Sequence, residues 1–400
     1  MLHSFLYLQD LGLLGYKALV SVASALGNSR AQMWIKGREH QALTPIPPEF
    51  KGRSWFHVAS LGEFEQALPL IEKLGSNNVF VTFFSPSGFD VIRKRMPHLA
   101  MAYLPLPTQK NMVRWIHDLS PSCLVFTKYD FWWSLLHEAH KKNIPSYLIS
   151  GKVKASDYFI KRKKLGERLF QLFDKIHVQD QPSKDLLQSI NQHSILSGDP
   201  RYDRVYTVSQ ETFQDPLIEQ WAKNWDQVVV IGSAWEPEMQ LASDIHQQLP
   251  KTGFIIAPHE LHRAAPFLAG KNIAFNVYSK AGNNPMEQFL IIDQFGLLRK
   301  LYRFADFAII GGGFGKGVHN LLEAAIYGIP TAFGPRHVKF SEAVEFVQEK
   351  ASLVLDLQNL TPLLERLSSQ DALVEMGAKA KKLCEKNIGA TEHIFSDLFA

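Results

Sequence analysis

The sequence predicts an α/β protein with two Rossmann-like domains facing a cleft, preceded by an apolar, amphipathic N-terminal helix. The chain has 400 residues, too many for one ordinary domain, since domains commonly have about 150. Short apolar, strand-like runs alternate with helical stretches, which is typical of a parallel, doubly wound sheet. The alternation begins again near Val228, so the pattern occurs twice.

The composition excludes several classes of protein. With 46% hydrophobic and 20% charged residues, the chain is neither disordered, collagen-like nor a polytopic membrane protein. Two cysteines exclude a disulfide framework and a cysteine-rich metal site, and they indicate a reducing compartment. The net charge of +4 is only mildly basic and carries no nucleic-acid signature.

The N-terminal residues raise the question of membrane contact. Residues 2–26 are largely apolar, but Asp10 and Lys17 interrupt them, which argues against a membrane-spanning helix. His3, Asp10, Lys17 and Ser24 recur every seven residues and form one polar stripe on a helix. Such a helix could lie in a membrane interface, or it could pack on its own domain or on a partner. The start lacks the basic residues and cleavage site of a signal peptide.

Three segments follow from this pattern: 1–40, a membrane-facing helical segment; 41–205, a first Rossmann-like domain; and 206–400, a second. The predicted strands are Trp55–Ala59, Val79–Phe84, Met101–Leu104, Cys123–Thr127, Pro145–Ile149, Lys175–Gln179, Val228–Ile231, Gly253–Ala257, Ala274–Val277, Phe289–Ile292, Phe307–Ile310 and Pro330–Phe333. The predicted helices include Glu63–Leu74, one from Glu236, His259–Leu268, Asn320–Tyr327 and Glu342–Glu349. Ligands of such sheets bind beyond the carboxyl ends of the strands, so strand-to-helix junctions are the places to search.

The first junction, His57–Glu65, ends a strand and begins a helix near Glu63. A helix N-terminus stabilises anions, which predicts a depressed pKa for Glu63 and an ionised carboxylate able to act as a general base. The alternative is structural, because Ser60 and Glu63 have the spacing of a capping box.

The second junction is glycine-rich, from Gly311 to Gly317, and lies between a buried strand and a helix. Its backbone amides could approach a phosphate closely. It is not a P-loop, because Gly317 follows Lys316 where Ser or Thr is required. A dinucleotide site is weakly supported, since no acidic residue ends the next strand. A tight strand–helix turn is the structural alternative.

Other polar clusters indicate anion binding. His259, His262 and Arg263 follow a strand end, but the two histidines are three residues apart, which disfavours a zinc site of the H-E-x-x-H type. A basic stretch between Lys152 and Arg168 is either a solvated helix face or a surface for phosphates and anionic lipid headgroups.

Taken together, the motifs resemble the 3-deoxy-D-manno-octulosonic acid (Kdo) transferases of lipopolysaccharide synthesis, which have the GT-B fold. The resemblance extends from about Tyr7 to the late helices, and its order and spacing are more specific than any single motif. The motifs are HVASLGEFEQALPLIEKL at 57–74, GSAWEPE at 232–238, APHELHR at 257–263, DQFGLLRKLYRFAD at 293–306, GGGFGKGVHNLLEAAIYGIPTAFGP at 311–335, and the GP-x-H-x-x-F element at 334–340.

The resemblance implies an inverting transfer of Kdo from CMP-Kdo to a lipid A precursor, lipid IVA, with Glu63 as the general base. It implies no metal, no cofactor and no nucleic acid, and a place on the cytoplasmic face of the inner membrane. The implied donor-binding residues are Pro258, His259, Phe295, Gly296, Leu297, Gly312, Gly313, Asn320, Leu321, Leu322 and Glu323. The candidates for contact with the acceptor or its anions are Lys152, Lys154, Lys161 and Arg162.

The chain departs from the family pattern at three places. Many members have Pro-Arg-His where this chain has Pro258-His259-Glu260, and a donor-loop Glu is replaced by Leu297. A common Glu-x-Glu pair is replaced by Lys128-Tyr129-Asp130. The alternatives that remain are another GT-B nucleotide-sugar transferase or epimerase, and a non-catalytic module that binds a membrane surface.

Overall fold

The computed structural model describes residues 2–43, 46–282 and 285–400, which form two compact units. The first unit extends to Asp203 and includes Gly389–Ala400, and the second is Arg204–Ile388. Each unit contains one parallel seven-stranded sheet flanked by helices. The predicted fold class, with two Rossmann-like domains and an N-terminal helix, is confirmed.

Two N-terminal helices precede the first sheet, α1 (Leu2–Ala25) and α2 (Ser29–Leu43). One side of α1 packs on the rest of the first unit, where Leu6 and Leu13 are buried. On the same helix, the Asp10 carboxylate accepts a hydrogen bond from the Gln109 N–H at 3.2 Å. In the described part of the chain, no helix is both long and apolar enough to cross a membrane.

The predicted polar stripe of α1 does not lie on one solvated side. Asp10 faces the first unit, Lys17 is exposed, and the side chain of His3 lies outside the described residues. Apart from Lys17, the large exposed side chains among the described ones of α1 are hydrophobic, a pattern opposite to that of an ordinary surface helix. They are Tyr7, Leu8, Leu11, Leu14, Tyr16, Leu19 and Val22.

The sheet of the first unit has the strand order β3-β2-β1-β4-β5-β6-β7. Its strands are β1 (Ser54–Val58), β2 (Val79–Phe83), β3 (Met101–Tyr103), β4 (Leu124–Thr127), β5 (Ser146–Gly151), β6 (Lys175–Val178) and β7 (Ile195–Leu196). Its helices are α3 (Leu61–Leu74), α4 (Pro86–Arg95), α5 (Gln109–Leu119), α6 (Trp133–Lys141), α7 (Tyr158–Lys161), α8 (Lys163–Phe170), α9 (Gln181–Gln188) and α10 (Pro200–Gln210), the last of which continues into the second unit. Because β4 lies beside β1, the direction of winding reverses between these two strands.

The second sheet has the order β10-β11-β9-β8-β12-β13-β14, which differs from the first because β11 lies between β9 and β10. Its strands are β8 (Gln227–Ala234), β9 (Thr252–Pro258), β10 (Phe275–Val277), β11 (Phe289–Ile291), β12 (Phe307–Ile310), β13 (Thr331–Phe333) and β14 (Ser352–Val354). Its helices are α11 (Pro216–Ala222), α12 (Glu236–Ile245), α13 (Ala264–Gly270), α14 (Leu298–Leu301), α15 (Leu322–Ala325), α16 (Ser341–Gln348), α17 (Thr361–Leu367) and α18 (Gln370–Lys386). Here the winding reverses between β8 and β12.

Short 3-10 helices connect several of these elements. They are Pro48–Phe50, Ser76–Asn78, His246–Gln248, Tyr278–Lys280 and Tyr302–Phe304.

The last helix, α19 (Ala390–Phe399), belongs to the first unit, whereas the sequence placed 206–400 in one domain. Ile394 is buried in the first core. The Asp203 carboxylate accepts hydrogen bonds from the Gly389 N–H at 2.5 Å and the Thr391 N–H at 2.6 Å. The assignment of 389–400 to the second domain is therefore wrong, because contacts far apart in sequence decide where this helix lies.

Each predicted strand has an observed counterpart, with small differences at the ends. The sequence missed β7 and β14, the last strand of each sheet in chain order. The helix predicted at 259–268 begins only at Ala264, and the one predicted at 320–327 is reduced to Leu322–Ala325. In both cases the residues just after a strand form an irregular loop at the carboxyl edge of the sheet.

Candidate active site

Glu63 lies in the first turn of α3, directly beyond the carboxyl end of β1. Its side chain is 4% exposed. Ser60 is the N-cap, and its hydroxyl accepts a hydrogen bond from the Glu63 N–H at 3.4 Å. The Glu63 carboxylate accepts from the Ala59 N–H at 2.5 Å, one residue before the N-cap. Glu63 therefore makes a variant of the predicted capping box, and this role holds the carboxylate in place.

Burial raises the pKa of Glu63 from 4.5 to about 7, which contradicts the expected depression. The hydrogen bond from Ala59 opposes the rise, the charge of Asp130 adds to it, and the charge of Lys128 opposes it. The helix N-terminus favours the charged form of Glu63, but desolvation of the buried carboxylate is the larger effect. A pKa near neutral suits a general base, because such a group exchanges protons readily at physiological pH.

A hydrogen-bonded network lies beside Glu63, across the boundary between β1 and β4. The buried His57 places Nε2 at 3.0 Å from an Asp130 Oδ2 atom, which also accepts from the Trp132 indole N–H at 3.1 Å. On the other side, His57 Nδ1 lies 3.0 Å from the Thr82 hydroxyl, which accepts from the Trp55 indole N–H at 2.8 Å. The Trp132 indole N–H also lies 3.0 Å from Nε2 of His57, so the indole holds both the imidazole and the Asp130 carboxylate in place.

Lys128 and Tyr129 complete the surroundings of Glu63 at the end of β4. Lys128 has a left-handed backbone with φ of 69°, which is uncommon for a residue with a side chain. Its charge lowers the pKa of Glu63 and also that of Asp199. Burial raises the pKa of Tyr129, and the charge of Glu63 raises it further. The replacement of the family's Glu-x-Glu therefore keeps one carboxylate, Asp130, and adds one cation near the base.

The predicted acceptor residues fall into two groups. Lys152 and Lys154 line a cavity of about 490 Å³ together with Tyr129 and Asp130. Lys161 and Arg162, at the junction of α7 and α8, are exposed and do not line this cavity. The structure thus brings only the first pair close to the residues around Glu63.

In the second unit, three rings meet at the carboxyl ends of adjacent strands. His259, after β9, stacks on Trp235, after β8, with ring centroids 4.3 Å apart. His259 also stacks on His319, from the loop after β12, at 4.9 Å. The Trp235 indole N–H donates to Nε2 of His319 at 3.3 Å. This ring cluster (Trp235, His259, His319) lies where the winding of the second sheet reverses, the usual place for a ligand.

Burial disfavours the charged form of both imidazoles of the ring cluster. It lowers the pKa of His319 from 6.5 to about 4, and the nearby His259 lowers it further. The pKa of His259 is also lowered by burial, against the opposing charge of Glu260. His262 and Arg263 are outside the ring cluster and line a neighbouring cavity of about 530 Å³ beside Trp235.

The glycine-rich loop is packed against neighbouring backbone. The N–H of Gly312 donates to the buried Glu238 carboxylate at 2.9 Å, and Glu238 also accepts from the Trp235 N–H at 3.0 Å. A Cβ at Gly313 would lie 2.4 Å from the Gly334 nitrogen, which only glycine permits. These contacts support the tight-turn interpretation for Gly312 and Gly313, and Glu238 fastens the loop to the ring cluster.

The remaining predicted donor residues differ in how they are presented. Phe295 is 82% exposed, and the adjacent Gly296 has a left-handed φ of 82°. The side chains of Leu321 and Leu322 are buried in the core, so only their backbone could contact a ligand. The others lie near this edge of the sheet: Pro258 ends β9, Leu297 precedes α14, and the Asn320 side-chain amide donates to Glu323 at 3.3 Å.

Several polar residues of these sites could not be predicted from the sequence. His57, Thr82 and Trp132 gave no spacing signal, because they come from three different strand ends. Another such group centres on Asp199, which pairs with Arg201 at 2.6 Å and accepts from the Gln66 amide at 3.4 Å. Across the described ranges, no cluster of three or more His, Cys, Asp or Glu side chains could hold a metal ion.

Comparison with known proteins places the chain among transferases. Residues 16–204 match the family model described as 3-Deoxy-D-manno-octulosonic-acid transferase (kdotransferase). A 3-deoxy-D-manno-octulosonic acid transferase from Chlamydophila psittaci is 27% identical over 83% of this chain and 82% of its own. A transferase of the same name from Aquifex aeolicus is 26% identical over 80% of this chain and 86% of its own. The crystal structure of Acinetobacter baumannii MurG, 12% identical, covers 86% of this chain and 99% of its own with a TM-score of 0.55, which shows the shared fold.

Proposed function

We propose that this chain is an inverting glycosyltransferase that moves Kdo from CMP-Kdo to a lipid A precursor, because it is similar to Kdo transferases in its family-model match and in its relatives. The observation that carries this proposal is Glu63, a buried carboxylate with a pKa of about 7 at a strand end. Its hydrogen bond from Ala59 and the charges of Lys128 and Asp130 hold it ready to accept one proton.

The proposed reaction uses Glu63 as its general base. The Glu63 carboxylate takes the proton of an acceptor hydroxyl, and the resulting oxygen attacks the anomeric carbon of Kdo. The bond between that carbon and the phosphate oxygen breaks, and CMP leaves with the electron pair on the opposite side. The carbon is a tertiary centre that builds oxocarbenium character, so positioning and one base would suffice.

The second unit is the proposed site for CMP-Kdo. His259 stacks on both Trp235 and His319, and these contacts fix its imidazole for contact with the donor. In the family this position is often arginine, a permanent cation, and here it is a titratable ring. Binding of the phosphodiester or carboxylate of CMP-Kdo would therefore favour proton uptake by His259.

The first unit is the proposed site for the lipid acceptor. Lys152 and Lys154 lie in the cavity that also contains Asp130, and their charges suit a phosphorylated disaccharide. The exposed hydrophobic side of α1, with Leu11, Leu14 and Leu19, supports attachment to the cytoplasmic face of the inner membrane. Membrane attachment through the basic stretch and α1 belongs to this proposal.

The direct test is incubation of the full chain with CMP-Kdo and a tetra-acylated lipid A precursor, followed by mass spectrometry of the lipid. We expect the acceptor to gain the mass of one or more Kdo residues, and the increment gives the number transferred. An unchanged acceptor mass with active donor and folded protein would exclude this transfer.

A thermal-shift panel separates this donor from those of other GT-B enzymes. A ligand that binds the native state raises its stability by RT ln(1 + [L]/Kd). We expect CMP and CMP-Kdo to raise the unfolding temperature, and UDP- and GDP-sugars to leave it unchanged. Stabilisation by a UDP- or GDP-sugar alone would instead favour a different nucleotide-sugar enzyme.

A further inference from the structure

A cavity of about 240 Å³ lies in the first unit where α1, α2 and α5 come together. We call it the Arg38 cavity. Three cationic side chains line it, Lys17 from α1, Arg38 from α2 and Arg114 from α5. Its apolar walls include Trp34, Leu106 and Trp115. The lining of this cavity includes neither Glu63 nor a residue of the ring cluster.

Arg38 is the most constrained of the three cations. Its guanidinium lies over the Trp34 ring at 3.9 Å and the Phe84 ring at 4.7 Å. It donates to the carbonyls of Leu104 at 3.0 Å, Phe84 at 2.7 Å and Trp34 at 3.4 Å. A guanidinium has five N–H donors, so two remain beyond these three hydrogen bonds to described residues.

No acidic partner among the described residues compensates for the partial burial of the Arg38 charge. Desolvation lowers the pKa of Arg38 from 12.5 to about 9. Among the described residues, no carboxylate lies within ion-pair distance of Arg38, and Glu39 is the one acidic residue that lines the cavity against three cations. A buried cation is costly unless it is paired, so an anion in the cavity would be bound favourably.

The position of the cavity indicates where this anion comes from. Lys17 belongs to α1, whose neighbouring Leu14, Tyr16 and Leu19 are exposed. A helix with such a hydrophobic side lies at the boundary of the acyl chains and headgroups, which puts Lys17 at headgroup depth. The apolar walls add contacts that a lipid can use and a small inorganic anion cannot.

We propose that the Arg38 cavity binds the phosphate headgroup of an anionic glycerophospholipid, as a built lipid site separate from the acceptor. The inference rests on the proposed attachment of α1 to a membrane. Lys17 and Arg114 contact the phosphate from the rim and Arg38 from the wall, while the partly exposed Ile35 and Leu106 contact the glycerol and upper acyl carbons. Such a site would fix the depth and orientation of the first unit at the membrane surface.

The test uses the full chain and dihexanoyl phosphatidylglycerol below its micellar concentration, titrated by calorimetry. Monomeric lipid removes the general attraction of a charged surface, so only a built site gives saturable binding. The test variant is K17Q/R114Q, and the matched control is K36Q/K110Q. The control loses the same charge from exposed positions on α2 and α5 that do not line the cavity.

We expect saturable binding to the unmodified chain and to K36Q/K110Q, and about tenfold or more weaker binding to K17Q/R114Q, since hydrogen bonds to charged groups are the stronger ones. Dihexanoyl phosphatidylcholine and glycerol 3-phosphate should each bind at least about tenfold more weakly than the phosphatidylglycerol. Equal loss in both double variants, or no saturable binding, would overturn the proposal. Equal affinity for glycerol 3-phosphate would assign the cavity to a soluble phosphate instead.

The outcome is independent of sugar transfer, because no CMP-Kdo is present in the titration. Lipid binding without any Kdo product would refute the proposed activity and leave the lipid site standing. Kdo transfer with no phosphatidylglycerol binding would support the proposed activity and refute the lipid site.

Discussion

Both units place their candidate sites where the winding of the sheet reverses beside its first strand, yet the chemistry differs. In the first, the winding reverses between β1 and β4, where Glu63 and Asp130 lie. In the second, it reverses between β8 and β12, where Trp235 and His319 lie. The first site raises the pKa of a carboxylate, and the second lowers the pKa of an imidazole.

Desolvation explains both shifts, because burial disfavours whichever form is charged. Glu63 is held near pH 7, where it can take and return a proton. His319 stays uncharged at neutral pH and serves as a ring surface and a hydrogen-bond acceptor for Trp235. One fold thus provides a proton acceptor in one unit and an aromatic binding surface in the other.

The largest expected effect is on Glu63. We predict that E63Q lowers the rate of Kdo transfer by about 10³-fold, within the range of a lost general base, because an amide cannot accept the proton. CMP binding to the second unit should be unchanged in the same variant. The rate is measured with saturating donor and acceptor, and CMP affinity by calorimetry.

The matched control for this prediction is E65Q on the same helix. Glu65 pairs with Arg95 at 2.5 Å on the surface of α3, so its loss should leave the rate within about twofold, as exposed ion pairs contribute little. A comparable rate loss in E65Q, or loss of CMP binding in E63Q, would contradict the assignment of Glu63 as the base.

The next effect concerns the charges around Glu63 and the acid side of the pH–rate profile. The rate should rise with pH through about 7, since the base works only when ionised. Replacing Lys128 by Met removes a cation that lowers the pKa of Glu63, so the midpoint should move to higher pH. D130N removes a charge that raises it, so the midpoint should move to lower pH.

A midpoint that stays in place in both variants would show that the acid limb belongs to another group. The pair is informative because the two replacements act in opposite directions, whereas general damage to the site would lower the rate without moving the midpoint.

A smaller effect is expected for the ring cluster of the second unit. H319A removes a ring that contacts His259 and the acceptor for the Trp235 indole, and we predict about tenfold weaker CMP binding by calorimetry. H319F keeps a ring and loses only the hydrogen-bond acceptor, so its loss should be smaller. Equal losses would mean that ring contact is not what orients His259.

How far the sequence predicts these sites depends on how many positions separate the residues that contact each other. The strands and Glu63 follow from local patterns, because alternation of apolar runs and an S-x-x-E spacing are visible within a few residues. The pKa of Glu63 does not follow from a local pattern, since it depends on burial by the folded unit. Nor does the pairing of His57 with Asp130, which are 73 positions apart. The place of α19 likewise depends on Asp203, in a distant part of the chain.

The smallest expected effect is on the pH dependence of the free energy of unfolding. This effect has opposite directions for Glu63 in the first unit and His319 in the second. Glu63 ionises near 4.5 when unfolded and near 7 when folded, so its contribution is fully present below 4.5 and is lost as pH rises through 7. His319 behaves oppositely, with a contribution present above 6.5 and lost as pH falls through about 4. In urea unfolding between pH 5 and 8, E63Q should therefore flatten the decline in the free energy of unfolding toward alkaline pH, and H319F should flatten the decline toward acid pH. Because each variant removes one titrating group, each slope should change by at most about 1.4 kcal/mol per pH unit. Slopes that change in the same direction in both variants would mean that burial does not act on the two sites in the opposite senses that their charges require.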